Sequence, residues 1–158
     1  MPSSRSASRN GRVAELAEKY DDEFLKGILT ETKVIALVGA SPKPERPSHG
    51  VMRYLQRRGY KVVPVNPGLA GQTLNGERVY ASLKEIPQSE TGRIDMVDIF
   101  RNSEAAAAPA EDAIAIGAKT VWMQLDVINA EAAKKARAAG LKVVMNRCPA
   151  IEIPRLLS

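Results

Sequence analysis

The chain has 158 residues, 44% of them apolar, which suits one domain with a single core and argues against disorder of the whole chain. Its formal charge is +5, but the basic residues are scattered and only 4% of the residues are aromatic, so no nucleic-acid surface is expected. The chain has one cysteine and one histidine, which excludes a disulfide framework and a Cys/His metal cluster. No apolar run approaches the roughly 20 residues of a membrane span, and the cytoplasm is the expected compartment.

The N-terminal part of the chain has two compositions. Residues 1–10 are rich in Ser and Arg without an apolar period, which predicts a disordered tail ahead of a single domain over 11–158. Residues 11–29 have apolar positions spaced by three and four, which predicts an amphipathic helix added to that domain. Its apolar positions are Val13, Leu16, Ala17, Tyr20, Phe24 and Ile28.

Five short apolar segments predict strands. The first, Val-Ile-Ala-Leu-Val at 34–38, is continuous, as expected for a strand covered on both faces. The others cover 61–65, 94–100, 119–124 and 141–145. Pro64 has no N–H to donate, so the second strand should have a free or bulged side.

Helices are predicted between these strands. Ser48 is expected to cap a helix that ends at Gly59, whereas 68–80 forms a glycine-containing loop. Further helical segments are predicted after Ser82, from Pro109 to Gly117, from Asn129 to Ala139 and over 151–157, the last limited by Pro154.

The alternation of strands and helices predicts the fold class. It is α/β, a doubly wound five-stranded parallel sheet in three α/β/α layers, with the added N-terminal helix. The expected strand order is 3-2-1-4-5, since such a sheet reverses direction once, beside its first strand.

The same topology predicts where a ligand binds. In an open parallel sheet, ligands lie beyond the carboxyl ends of the strands, at the reversal point. The segments there are 39–42, 66–68, 100–103, 124–126 and 146–149, and all carry polar or turn-forming residues. The opposite edge carries plain glycine turns.

The segment after the first strand is interpreted as a phosphate-binding loop. Gly39 permits a sharp turn where a side chain would block a phosphate, and Lys43 and Arg46 add positive charge. The following helix begins at this loop, so its free N–H groups and dipole favour an anion. The proposed loop and helix-start residues are Gly39, Ala40, Ser41, Pro42, Lys43, Arg46, Ser48, His49 and Gly50.

Two common nucleotide patterns are missing. A dinucleotide fingerprint would need glycine where Ser41 and Pro44 stand, and NAD would need an acidic residue at Asn66. The G-x-x-x-x-G-K-[ST] pattern of ATP-binding loops is absent too.

Several stretches together resemble one family. They are VGASPKP at 38–44, GYKVVPVNP at 59–67, DIFR at 98–101, GAKTVWMQL at 117–125 and VMNRC at 144–148. With them the chain resembles the small, stand-alone CoA-binding domain proteins, whose Rossmann-like fold is related to the CoA-binding domain of the succinyl-CoA synthetase alpha subunit.

The resemblance implies coenzyme A or an acyl-CoA as the ligand. It implies a phosphate loop at 39–43 and further contacts from Asn66, Pro67, Phe100, Arg101 and Gln124. Asp126 stands where the family commonly has Gly, and Asn146 where it commonly has Asp.

Function is left with two hypotheses. One is a CoA-binding module without evident catalysis, because no acid or base partner can be placed beside the lone His49. The other is an enzyme, either a nucleotide-dependent oxidoreductase or a subunit of an acyl-CoA synthetase. Cys148 is either an inert buried cysteine or a partner for a mixed disulfide with CoA. Whether the protein forms a homodimer is left open.

Overall fold

The computed structural model describes residues 19–157. The predicted tail and the first part of the predicted N-terminal helix, residues 11–18, lie outside that range. Among the described residues, no helix has the length and apolar character needed to cross a membrane.

Helices alternate with strands along the chain. The strands are β1 (Val34–Val38), β2 (Lys61–Val65), β3 (Thr73–Leu74), β4 (Glu77–Arg78), β5 (Met96–Ile99), β6 (Thr120–Met123) and β7 (Lys142–Val144). The α-helices are α1 (Asp22–Glu31), α2 (Pro47–Arg57), α3 (Gln88–Thr91), α4 (Ala107–Ala115), α5 (Ala130–Ala138) and α6 (Pro149–Leu157). Single 3-10 turns occupy Pro67–Leu69, Leu83–Glu85 and Glu104–Ala106.

The main sheet has five parallel strands in the order β2-β1-β5-β6-β7, and β3 and β4 form a separate antiparallel hairpin. The predicted Rossmann-like α/β class is confirmed. The predicted strand order 3-2-1-4-5 is wrong, because counting the main strands alone gives 2-1-3-4-5. The chain returns across β1 after β2, and the Tyr80 segment lies along the outer side of β2 through bonds to Pro64 and Asn66.

The core consists of two apolar clusters, one on each face of the sheet, because alternate strand residues point to opposite faces. One cluster holds the inner sides of α1, α2 and α6 around the fully buried Trp122. The other holds α4 and α5, which contribute mainly alanines against the sheet. The predicted three layers are therefore present.

The predicted helix over 11–29 does not continue through residues 19–21, which are not helical. α1 begins at Asp22, and Tyr20 lies ahead of it with its ring stacked on Phe24 at 6.1 Å between centroids. The Tyr20 hydroxyl accepts a hydrogen bond from the Met145 N–H at 2.8 Å. Tyr20 therefore ties the chain ahead of α1 to the end of β7.

Two helix boundaries differ from prediction because proline favours the first helical position, where no N–H is needed. α2 begins at Pro47 with Arg46 as its N-cap, so Ser48 is not the cap. α6 begins at Pro149 and continues through Pro154 to Leu157.

Candidate functional site

A cleft of about 780 Å³ opens at the carboxyl edge of the sheet. It lies between the segments that follow β1, β2, β5 and β6. After β1 the chain enters α2 on one face, and after β5 it enters α4 on the other face. The cleft therefore sits at the reversal point of the sheet, where ligands bind in doubly wound folds.

Gly39 is required by the neighbouring backbone. Its φ is +93°, and a Cβ at this position would overlap the carbonyl oxygen of Phe100 and lie 3.1 Å from the carbonyl carbon. A side chain here would therefore collide with the loop after β5, and the expectation that it would also block a phosphate stays a prediction. The Gly39 N–H donates to the Val65 carbonyl, which further fixes the turn.

Asn66 joins the loops after β1 and β2. Its Nδ2 donates to the Ala40 carbonyl at 2.8 Å, and its Oδ1 accepts from the Gly68 N–H at 2.9 Å. Both polar ends of the side chain are thus used by backbone groups. Asn66 lines the cleft as a brace for the loop that carries Ala40.

Three cationic side chains face solvent around the cleft, on Lys43, Arg46 and Arg101. None of them forms an ion pair with another residue in the range 19–157. Their charge is therefore available to an anionic ligand.

The first turn of α2 has fewer free backbone N–H groups than the first turn of most helices. The N–H groups of Arg46 and His49 donate to the carbonyls of Lys43 and Arg46, and Pro47 has no N–H. In the first turn, Ser48 is left with an N–H that no described residue accepts. The Ser41 hydroxyl accepts from the Lys43 N–H at 3.1 Å and can still donate its own proton.

Most of the predicted binding residues line the cleft. They are Gly39, Ala40, Ser41, Pro42, Lys43, Arg46, Ser48, Asn66, Phe100, Arg101 and Gln124. His49, Gly50 and Pro67 do not: the His49 ring contacts the Ser41 carbonyl at 3.3 Å, and a Cβ on Gly50 would meet open space. His49 thus supports the loop from behind.

Seven further residues line the cleft that were not among the predicted binding residues. They are Pro47, Gly68, Leu69, Asn102, Leu125, Asp126 and Val127. Most belong to, or directly adjoin, the predicted carboxyl-edge segments. The rule that ligands bind beyond the carboxyl ends of parallel strands therefore predicts these residues, whereas phosphate chemistry does not. Leu125 is 45% exposed and gives the cleft an apolar lip.

The two positions that depart from the family pattern contact each other. Asp126 and Asn146 have φ values of +68° and +60°, and the Asp126 N–H donates to the Asn146 Oδ1 at 2.7 Å. Glycine adopts a positive φ without cost, and Asn and Asp tolerate it better than other residues. The pair therefore keeps the β6 loop in the conformation that a glycine would take.

Beside the cleft, Asp98, Gln124 and Cys148 are buried. Burial raises the pKa of the Asp98 carboxyl well above its usual range. Burial also raises the pKa of the Cys148 thiol, and a hydrogen bond from Gln124 lowers it in part. Cys148 does not line the cleft and is not a ready thiolate, which disfavours a mixed disulfide with CoA.

Comparison with known proteins identifies the family of this fold and cleft. The family model described as "CoA binding domain" matches residues 33–154. The chain belongs to the CoA-binding domain family. The match spans the sheet from its first strand and all the segments that line the cleft.

Individual relatives are similar to this chain over most of its length or in fold. YneT of Bacillus subtilis (strain 168) is 38% identical over 124 residues, which cover 78% of this chain and 87% of YneT. A structure of a hypothetical protein from Pyrococcus horikoshii OT3 is 46% identical with a TM-score of 0.81, covering 88% of this chain and 94% of that one. A dinucleotide-forming acetyl-coenzyme A synthetase 1 from Ca. Korarchaeum cryptofilum, solved with phosphate and ADP, has a TM-score of 0.58 and 24% identity over 70% of this chain and 25% of its own, a likeness of fold alone.

Proposed function

We propose that this protein binds coenzyme A or an acyl-CoA in the cleft and catalyses no reaction by itself. The observation that carries the proposal is the position of the cleft, at the reversal point of the sheet in a chain of the CoA-binding domain family. A volume of about 780 Å³ also lies within the range of ligand pockets.

The phosphates of the ligand would lie at the loop after β1. The N–H groups of Ser41 and Ser48 have no acceptor among the described residues, and Lys43 and Arg46 extend positive charge beside them. Arg101 adds a third cation from the loop after β5. A ligand with a diphosphate and a further phosphate matches this set of donors.

The absence of an acid–base pair supports binding without catalysis. Among the described residues that line the cleft, Asp126 is the one carboxylate, and no histidine or cysteine is included. The enzyme hypothesis is supported by the likeness to the acetyl-coenzyme A synthetase chain, which extends only to the fold. Turnover therefore needs its own assay.

Thermal unfolding with CoA, acetyl-CoA and NAD tests the binding proposal. A ligand at 100 times its Kd stabilises by about 2.7 kcal/mol. In a chain of this size that raises Tm by roughly 5–10 °C. We expect the rise with CoA or acetyl-CoA and none with NAD, and no CoA effect at millimolar ligand would refute the proposal.

Charge variants test the position of the phosphates. Lys43→Ala combined with Arg46→Ala should weaken CoA binding and reduce its salt dependence, while leaving the Tm of the free protein unchanged, because both side chains are exposed. Arg57→Ala is the matched control, since it removes an exposed cation at the far end of the same helix. Equal affinity in the double variant and the control would place the phosphates elsewhere.

Catalysis is tested by incubating the protein with acetyl-CoA alone, and with CoA, acetate and ATP. Binding of CoA without product in either mixture is the expected result. Protein-dependent turnover, lost in the Lys43/Arg46 double variant, would favour the enzyme hypothesis instead.

A further inference from the structure

Three polar side chains lie on one face of the sheet near the cleft. Asp98 is in register with Leu37 and Trp122 on the adjacent strands. Gln124 follows Trp122 by two residues and therefore points to the same face. Cys148 packs into the same apolar cluster as Trp122. Of the three, Gln124 alone lines the cleft.

This group has an excess of acceptors. Neither carboxyl oxygen of Asp98 nor the Gln124 Oε1 has a hydrogen-bond partner among residues 19–157. Asp98 is 0% exposed and Gln124 is 6% exposed, so water does not reach these oxygens freely. A proton on Asp98 removes a buried charge and turns one acceptor into the missing donor.

The Gln124 amide has two N–H groups and one oxygen to place. A side-chain hydrogen bond from Gln124 lowers the pKa of the Cys148 thiol, so one N–H is assigned to the sulfur. With its oxygen held as well, the amide has one N–H left for the cleft.

We propose that Asp98, as a neutral acid, donates its O–H to the Gln124 Oε1 and so orients the Gln124 amide to give its remaining N–H to an oxygen of the ligand. Asp98 is then a positioning residue, and Gln124 touches the ligand. This inference rests on the proposed binding of CoA in the cleft.

The strand order indicates which part of the ligand Gln124 meets. β6 is separated from β1 by β5, so the end of β6 lies about 10 Å from the phosphate loop at ordinary strand spacing. A ligand held by its phosphates at β1 must carry an acceptor oxygen on an extended arm to reach Gln124. The amide carbonyls of a pantetheine-type arm have that chemistry, and ADP lacks the arm.

A double-mutant cycle with CoA and ADP as probes tests the linkage. Gln124→Leu and Asp98→Leu should each weaken CoA binding roughly three- to tenfold, the loss of one neutral hydrogen bond, and leave ADP binding unchanged. Combining them should add no further loss, because Asp98 acts through Gln124. Asp98→Asn should keep near wild-type affinity, since its amide N–H can replace the acid proton. Unchanged CoA affinity in Asp98→Leu, or an equal loss in the Gln124→Leu background, would overturn the inference.

Infrared spectroscopy of the free protein tests the pairing without ligand. A neutral carboxylic acid has a carbonyl stretching band that a carboxylate lacks. We expect this band at pH 7, its loss in Asp98→Asn, and a frequency shift in Gln124→Leu. A missing band, or a band that Gln124→Leu does not move, would overturn the pairing. If the protein shows the carbonyl band and its shift in Gln124→Leu but binds neither CoA nor acetyl-CoA, the pairing of Asp98 with Gln124 stands. The proposed function and the ligand contact are then both refuted.

Discussion

Replacing Gly39 by alanine tests the contact that brings β1 and β5 together at the cleft. Gly39 and Gly59 have nearly the same positive φ, +93° and +96°. A Cβ on Gly59 would meet nothing within 4 Å, whereas a Cβ on Gly39 would overlap the Phe100 carbonyl oxygen. Gly59→Ala therefore measures the cost of the conformation alone, and Gly39→Ala adds the cost of the contact.

The two costs have different magnitudes. Alanine in the left-handed region costs about 1–2 kcal/mol, which is the loss expected for Gly59→Ala. Displacing a packed neighbour costs a further 1–3 kcal/mol or so. Because that neighbour is backbone, Gly39→Ala should lower the free energy of unfolding by roughly 2–5 kcal/mol, the sum of both effects.

Urea denaturation of both variants and wild type gives these free energies by linear extrapolation. A loss in Gly39→Ala that exceeds the loss in Gly59→Ala by at least about 1 kcal/mol agrees with the contact. Equal losses would refute it. If the two variants were equally stable but only Gly39→Ala lost CoA binding, the absence of a side chain at Gly39 would serve the ligand and not the contact with Phe100.

Three further substitutions test separate features of the core and helices. Asp98→Asn should stabilise the protein above about pH 4, and the gain should increase as pH rises. Burial raises the pKa of the Asp98 carboxyl in the folded protein, so the folded wild type keeps a proton that the unfolded chain releases near pH 4. The stability of the wild type therefore falls with rising pH until the folded pKa is reached. Melting curves between pH 4 and 8 check this, and a parallel pH dependence in both proteins would contradict it. Tyr60→Phe should cost about 1 kcal/mol in urea denaturation through loss of the 2.6 Å bond to the Leu29 carbonyl, whereas Tyr54→Phe, whose hydroxyl bonds to no described residue, should cost less. Gly27→Ala, inside α1 with open space at its Cβ, should raise stability by about 0.5–1 kcal/mol, and a loss would indicate a contact from outside the described range.

Local sequence patterns predicted the five main strands and the edge at which the cleft opens, because continuous apolar runs and the sheet-edge rule depend on local burial and on chain direction. They did not decide on which side of β1 the third main strand would lie. Both orders reverse beside β1, so periodicity alone does not separate them. Pro64 distinguishes the two orders, because a strand that contains proline prefers the edge of a sheet. β2 is the edge strand of the main sheet in the observed order, whereas it lies inside the sheet in the predicted order.

Two predicted cleft residues make structural contacts that the sequence did not show. Gly39 and Asn66 line the cleft, but one makes room for the Phe100 backbone and the other braces two loops. Both roles depend on neighbours that are distant in sequence. The start of α2 was misplaced by two residues, because Ser48 is a good capping type but the observed N-cap is Arg46, with Pro47 at the first helical position.

The corrected strand order also changes which ligands fit. In the predicted order the fourth main strand would lie beside β1, so Gln124 would stand next to the phosphate loop and a short ligand would touch both. In the observed order β5 lies between them and places Phe100 and Arg101 in the middle of the cleft. A ligand that uses the cations at one end and the Gln124 amide at the other must then span two strand spacings, about 10 Å. A phosphate group alone is too short for this distance, whereas a nucleotide with an amide-bearing arm is long enough, so the proposed Gln124 contact requires a ligand with the length of CoA.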